Sequence, residues 1–174
     1  QRLVTNYAAG FSRLGFKAMQ TPPVQTEEAI RLYNIALKFA PEYGPALNGL
    51  IAIYAVQMMQ PEKALPLAER LLAAQPERVE TWVRYGGVHL MIGERDERSG
   101  RDAEAIAHFE ESVRAYEHAL SQEPERRELY APLLSMYQKL GRTRELNSLL
   151  DLYGRYAPEE LQSLMEPDDG SVAP

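Results

Sequence analysis

The chain has 174 residues and no cysteine, which excludes disulfide bonds and thiolate metal ligation. The compartment stays open, because cysteine-free proteins suit cytoplasm and periplasm alike. Also missing is any apolar run near the roughly 20 residues that span a bilayer. The richest stretch, Ala46 to Met59, is interrupted by Asn48, Gly49 and Gln57 and suits a buried helix. No signal peptide is visible, so no direct membrane insertion of this segment is expected. Basic excess is absent too. Twenty-five acidic residues against 19 basic ones give a net charge of −6, which disfavours a nucleic-acid backbone as partner.

What the chain does have is 45% hydrophobic residues, enough for a sizeable core, and a recurring phrase. Ala36-Leu37-Lys38-Phe39-Ala40-Pro41, Leu71-Leu72-Ala73-Ala74-Gln75-Pro76, Ala119-Leu120-Ser121-Gln122-Glu123-Pro124 and Tyr153-Gly154-Arg155-Tyr156-Ala157-Pro158 each read as a helix tail closed by proline. The prolines are spaced 35, 48 and 34 residues apart. A fixed period of this size marks a helical repeat array.

The last unit is the clearest. Tyr130, Leu133, Leu134 and Tyr137 share one helix face, Leu140-Gly141-Arg142 breaks it, and Leu146, Leu150 and Tyr153 mark a second helix. Carried backward, the register gives Trp82, Tyr85-Gly86 and His89, with a break at Ile92-Gly93, then Ser112, Tyr116 and Ala119. Before that come Leu47, Leu50-Ile51 and Tyr54, then Ala64, Ala68 and Leu71. The first unit has Val4, Tyr7-Ala8, Phe11 and Leu14-Gly15, then Ala29, Tyr33 and Ala36.

On these residues the chain resembles the tetratricopeptide repeat (TPR) family from Gln1 to about Glu160. In that pattern Tyr130 stands at the Trp position, Leu133-Leu134 at Leu-Gly, Tyr137 at Tyr, Leu150 at Phe and Pro158 at Pro. The resemblance implies an all-α, right-handed superhelical solenoid of about four helix pairs, with repeats at 1–43, 44–78, 79–126 and 127–160. A short capping helix over 159–166 follows, with Leu161, Leu164 and Met165 on one face, and then a disordered tail at 167–174.

Against a 34-residue repeat, the excess falls as insertions of about 9, 1 and 14 residues, each between the two helices of a unit. The first, Lys17 to Gln25, contains Pro22-Pro23 and is expected to be an extended loop, with Thr26 capping the helix that follows. The longest is expected to be a charged loop over Glu94 to Arg101, then a helical extension from Asp102, with Ser99-Gly100-Arg101-Asp102 as a capping box. The start at Gln1 reads as processed or truncated, with a leader, anchor or further repeats upstream.

The register assigns seven tyrosines (Tyr7, Tyr33, Tyr85, Tyr116, Tyr130, Tyr137 and Tyr153) and Trp82 to the core. The histidines His89, His108 and His118 lack metal-ligand spacing, and the carboxylates of 94–104 alternate with arginine as solvated charge. No nucleophile elbow, P-loop or dinucleotide fingerprint occurs. No catalytic residue, metal or cofactor is therefore assigned, and the chain reads as non-enzymatic.

The family lines its concave groove with first helices. Transferred position by position, that implies a partner-binding groove of Asn48, Gly49, Ala52, Val56, Val83, Arg84, Gly87, Leu90, Met91, Ser135 and Gln138. Co-chaperone members clamp a terminal carboxylate with Lys, Asn and Arg. Here only Arg84 stands at a clamp-type position, so that role is disfavoured. Gly49 and Gly87 lie inside helices, consistent either with close approach of a ligand backbone or with tighter helix packing. The expected function is an adaptor or scaffold that holds a protein or peptide segment in an apolar groove and assists complex assembly. The alternatives are a self-associating scaffold, forming a homo-oligomer, and the TPR part of a larger envelope-anchored protein or enzyme.

Overall fold

The computed structural model describes residues 2–165. Among them the chain forms α1 (Arg2–Gln20), α2 (Thr26–Phe39), α3 (Gly44–Ala52), α4 (Pro61–Ala74), α5 (Val79–Arg98), α6 (Asp102–Gln122), α7 (Tyr130–Lys139), α8 (Thr143–Tyr156) and α9 (Pro158–Met165). A π turn, Ile53–Gln57, prolongs α3, and a 3-10 turn, Arg127–Leu129, leads into α7. No strand occurs among the described residues. Consecutive helices pack as hairpins (α1 with α2, α3 with α4, α5 with α6, α7 with α8), and successive hairpins stack to give an all-α helical solenoid.

The prolines act through the residue in front of them. A residue preceding proline is driven out of the α region. Ala40, Gln75, Glu123 and Ala157 accordingly adopt φ between −133° and −148° and ψ between 58° and 94°. Each still donates its N–H to the carbonyl four residues back, at 2.8 to 3.0 Å, so the helix ends without an orphaned donor. The proline carbonyls are satisfied from the next hairpin. Trp82 Nε1 donates to Pro76 O at 2.8 Å, and Tyr130 Oη to Pro124 O at 2.7 Å. Where that aromatic is replaced by Leu47, Arg70 donates to Pro41 O instead, at 2.7 Å.

The three insertions are only partly loops. The first lengthens α1 to Gln20 and leaves Thr21 to Gln25 as the connection. Thr26 is the first residue of α2 rather than its cap, and Gln25, at the cap, makes no side-chain bond. The single extra residue of the second unit widens the end of α3 into the π turn, where Met58 N–H reaches back to Ile53 O at 2.9 Å.

The third insertion is divided between two helices. α5 continues through Gly93 to Arg98, because Gly93 is a packing position: a Cβ there would lie 2.7 Å from Phe109 Cε1. The turn falls at Gly100, at φ +71°, with Arg101 N–H bonded to Asp96 O and Gly100 N–H to Glu97 O. Gly141 ends α7 with the same bond pattern at φ +67°. No capping box forms, since Arg101 holds the cap position and Ser99 Oγ donates to Arg95 O at 2.8 Å. The lengthened hairpin is tied to both neighbours, through Arg95 with Glu62 of α4 and Glu97 with Lys139 of α7 at 2.6 Å.

Side-chain placement departs from the expected register at a few points. Tyr33, Tyr116, Tyr130, Tyr137 and Tyr153 are buried, but Tyr7 is 52% exposed and stacks on Phe39 at 5.4 Å. Trp82 and Tyr85 are half-buried. In α8, Leu149 enters the core rather than Leu150. Asp96 is buried and paired with Arg101 at 2.5 Å, unlike the solvated carboxylates around it. Leu161 of α9 packs against the second core cluster. The side chains of Leu164 and Met165, and the expected tail, lie outside the described residues.

Candidate protein-binding groove

Two first helices, α3 with its π turn and α5, face one another across a hollow of ≈ 380 Å³. Ile51, Ala52, Ala55 and Val56 line one wall, and Glu80, Val83, Arg84, Gly87, Val88 and Met91 the other. On α5 these positions recur every three or four residues, so they form one stripe along the helix. Tyr116 of α6 and Arg126, from the turn after it, complete the lining.

Of the eleven residues transferred from the repeat register, Ala52, Val56, Val83, Arg84, Gly87 and Met91 line this hollow. Ser135 and Gln138 line a separate one of ≈ 380 Å³ between α7, α8 and α9, with Leu134, Leu146, Leu150 and Leu161. Asn48, Gly49 and Leu90 line neither. Leu90 packs against the second core cluster. A Cβ on Gly49 would lie 2.3 Å from Tyr33 Cζ, so this glycine serves helix packing. Gly87 is different: the nearest atom to its Cβ would be Tyr116 Oη at 3.4 Å, an ordinary contact.

Charge in the hollow is unevenly matched. Arg126 reaches from the turn after α6 to Glu80 at 2.8 Å and also pairs with Glu123, while Arg78 lies 3.7 Å from Glu80. Hydrogen bonding to its own backbone and the Arg126 guanidinium hold Glu80 below the usual carboxylate value. Arg84 has no such partner. Its Nε is buried without an acceptor, and burial lowers its pKa from the ordinary arginine value. Burial, then the charge of Glu94, pushes the Tyr116 hydroxyl up to about 12, so it stays protonated.

Sequence reasoning missed Arg126, which sits two residues past a repeat-ending proline, and Tyr116, which the register consigned to the core. The only signal for Arg126 is the acidic Glu80 that it pairs with across the unit. Two of the three histidines come together. His89 and His108 approach at 2.9 Å between Nδ1 atoms, while His118 lies against the Trp82 ring, tilted by 34° with ring centres 4.1 Å apart. Among the described residues no group of three or more His, Cys, Asp or Glu is placed to hold a metal, and no helix is long and apolar enough to cross a membrane.

No family model matches the sequence, and no curated protein matches it. Solved structures do match the fold. A MamA AMB-1 structure superposes with a TM-score of 0.66 at 19% identity, covering 92% of this chain and 79% of that one. MamA from Desulfovibrio magneticus RS-1 gives 0.62 at 16% identity, covering 92% and 78%. TTC0263, a thermophilic TPR protein of Thermus thermophilus, gives 0.61 at 18% identity, covering 90% and 78%. At such identities the likeness speaks to fold alone. The chain has the fold of the TPR-type helical solenoids.

Proposed function

We propose that this chain is a non-enzymatic adaptor, with 1–166 acting as one TPR domain whose α3–α5 hollow holds a helix or extended segment of a partner protein and so assists complex assembly. One observation carries the reading. Val56 is 64% exposed, and with Ala52, Val83, Gly87 and Met91 it presents a concave apolar surface between two helices. Such a groove is a common mode of peptide capture. The test uses Val56→Glu and Met91→Glu, since Leu90 is engaged in the core and would confound it. The double variant is expected to keep the far-ultraviolet circular dichroism of the parent and to lose the partner recovered by affinity capture from the native cell. Undiminished capture would remove the groove assignment.

A second reading, self-association, is favoured by the open face at α1. Leu3, Tyr7 and Leu14, whose spacing puts them on one side of α1, are each more than half exposed, at 68%, 52% and 53%. Sedimentation over a concentration series separates the two: a strict monomer at high concentration speaks against the scaffold.

A further inference from the structure

The α3–α5 hollow contains two positive side chains, and only one has its counter-charge in place. Arg126 is held by Glu80 at 2.8 Å and by Glu123 and Glu128. Arg84 makes no ion pair or hydrogen bond among the described residues, and its Nε is buried without an acceptor. Glu80, one turn earlier on the same helix, is engaged by Arg126 and Arg78 instead.

Arg84 is half-buried, and its Nε–H in particular is withdrawn from water without an acceptor, which is unfavourable; the same partial desolvation strengthens any pairing that follows. The neighbours of Arg84 on its stripe, Val83, Gly87 and Val88, are small or apolar and offer it no counter-charge. A planar, always-charged fork is matched in shape by a carboxylate. The hollow lies mid-stack, with α1 packed beyond α3 and α7 beyond α6. A segment lying across it therefore extends past Arg84 in both directions and offers interior side chains there, not a chain end.

Resting on the groove reading above, we infer that the partner segment inserts one side-chain carboxylate, from Asp or Glu, to pair with Arg84, with apolar neighbours seated on Val56, Val83 and Met91. The carboxylate of Glu80 at the rim disfavours a second acidic residue beside the first, so the recognised sequence is apolar with a single acid rather than an acidic run.

The probe is a blocked peptide of Ala and Leu with one central Glu, titrated into the isotopically labelled full chain. The Arg84 Nε–H and Gly87 amide cross-peaks are followed. Comparison peptides carry Gln in place of Glu, with either an amidated or a free carboxyl terminus. Saturable shifts with the Glu peptide, about tenfold or more weaker binding of the amidated Gln peptide, and loss of that preference in Arg84→Gln are expected. Equal binding of Glu and amidated Gln peptides overturns the carboxylate inference and leaves the groove standing. A free-terminus Gln peptide that matches the Glu peptide overturns the side-chain assignment. If no peptide moves Gly87, groove and carboxylate fall together. In the unliganded chain, Glu166→Gln with Asp168→Asn and Asp169→Asn is expected to leave Arg84 unmoved. A shift would make the chain's own acidic end the occupant and overturn the assignment to a partner.

Discussion

Gly86 and Gly87 are adjacent in α5, yet replacing each by alanine is expected to change stability in opposite directions. Alanine is favoured over glycine inside a helix by about 1 kcal/mol, and both substitutions gain this. At Gly87 the new Cβ meets only Tyr116 Oη at 3.4 Å, so the gain is kept and Gly87→Ala stabilises by about 1 kcal/mol. At Gly86 the Cβ would lie 2.7 Å from Tyr116 Cδ1 and Cε1 and 3.0 Å from Ala115 Cβ. The Tyr116 ring is 5% exposed and Ala115 is fully buried, so neither can yield by turning into solvent. Overpacking of this kind costs about 1–3 kcal/mol, and the tight approach to a ring body places it at the upper end. Gly86→Ala should therefore lose about 1–2 kcal/mol net. Thermal unfolding followed by circular dichroism reads this as shifts of roughly 2–4 °C per kcal/mol for a chain of this size. Both variants moving in the same direction would refute the packing argument, and with it the distinction between groove-lining and packing glycines.

Gly141→Ala, forced to φ +67° where no neighbour crowds the Cβ, should lose about 1 kcal/mol through backbone strain alone. Gly10→Ala in α1, equally uncrowded but without positive φ, should gain a similar amount, and a denaturant melt that ranks them the other way contradicts the cap assignment. His89 is buried and faces His108 and Arg114, which together push its pKa down to about 4. Asp96 lies 4.0 Å from His108 on the other side of the pair. The unfolded chain, with a histidine near pKa ~6.5, takes up the proton first. Stability is thus intact above pH ~6.5 and falls by up to about 3 kcal/mol as pH approaches ~4. His89→Gln should flatten that part of the profile measured by urea midpoints, whereas an unchanged slope would assign the loss to other groups.

The fold was legible because its punctuation is local. A residue before proline is biased out of the α region. Pro41, Pro76, Pro124 and Pro158, recurring after helix tails, therefore mark helix ends, whereas Leu65 before Pro66 and Ala131 before Pro132 stay helical within α4 and α7. Glycine is ambiguous by contrast. Gly141 ends a helix through its backbone, while Gly93, which also follows an aliphatic residue, makes room for Phe109 on the neighbouring helix. Nothing within reach of Gly93 in sequence distinguishes the two, so the pattern puts a break at Ile92-Gly93 where α5 runs on to Arg98. One surplus residue could be counted from the proline spacing, but its form as a π turn depends on how α3 packs. The groove was legible as a stripe on α5. Its charge balance was not, because the pairing of Glu80 with Arg126 joins residues far apart in sequence and leaves Arg84 unmatched.

The central claim is that a partner segment lies in the α3–α5 hollow. A photoreactive amino acid placed at Val56, and in a second chain at exposed Ile106 on α6, tests it in the native cell. Crosslinks are expected from Val56 to one defined segment of a partner, and none to that segment from Ile106. Crosslinks to the partner from Ile106 alone, with Val56 silent, would contradict it.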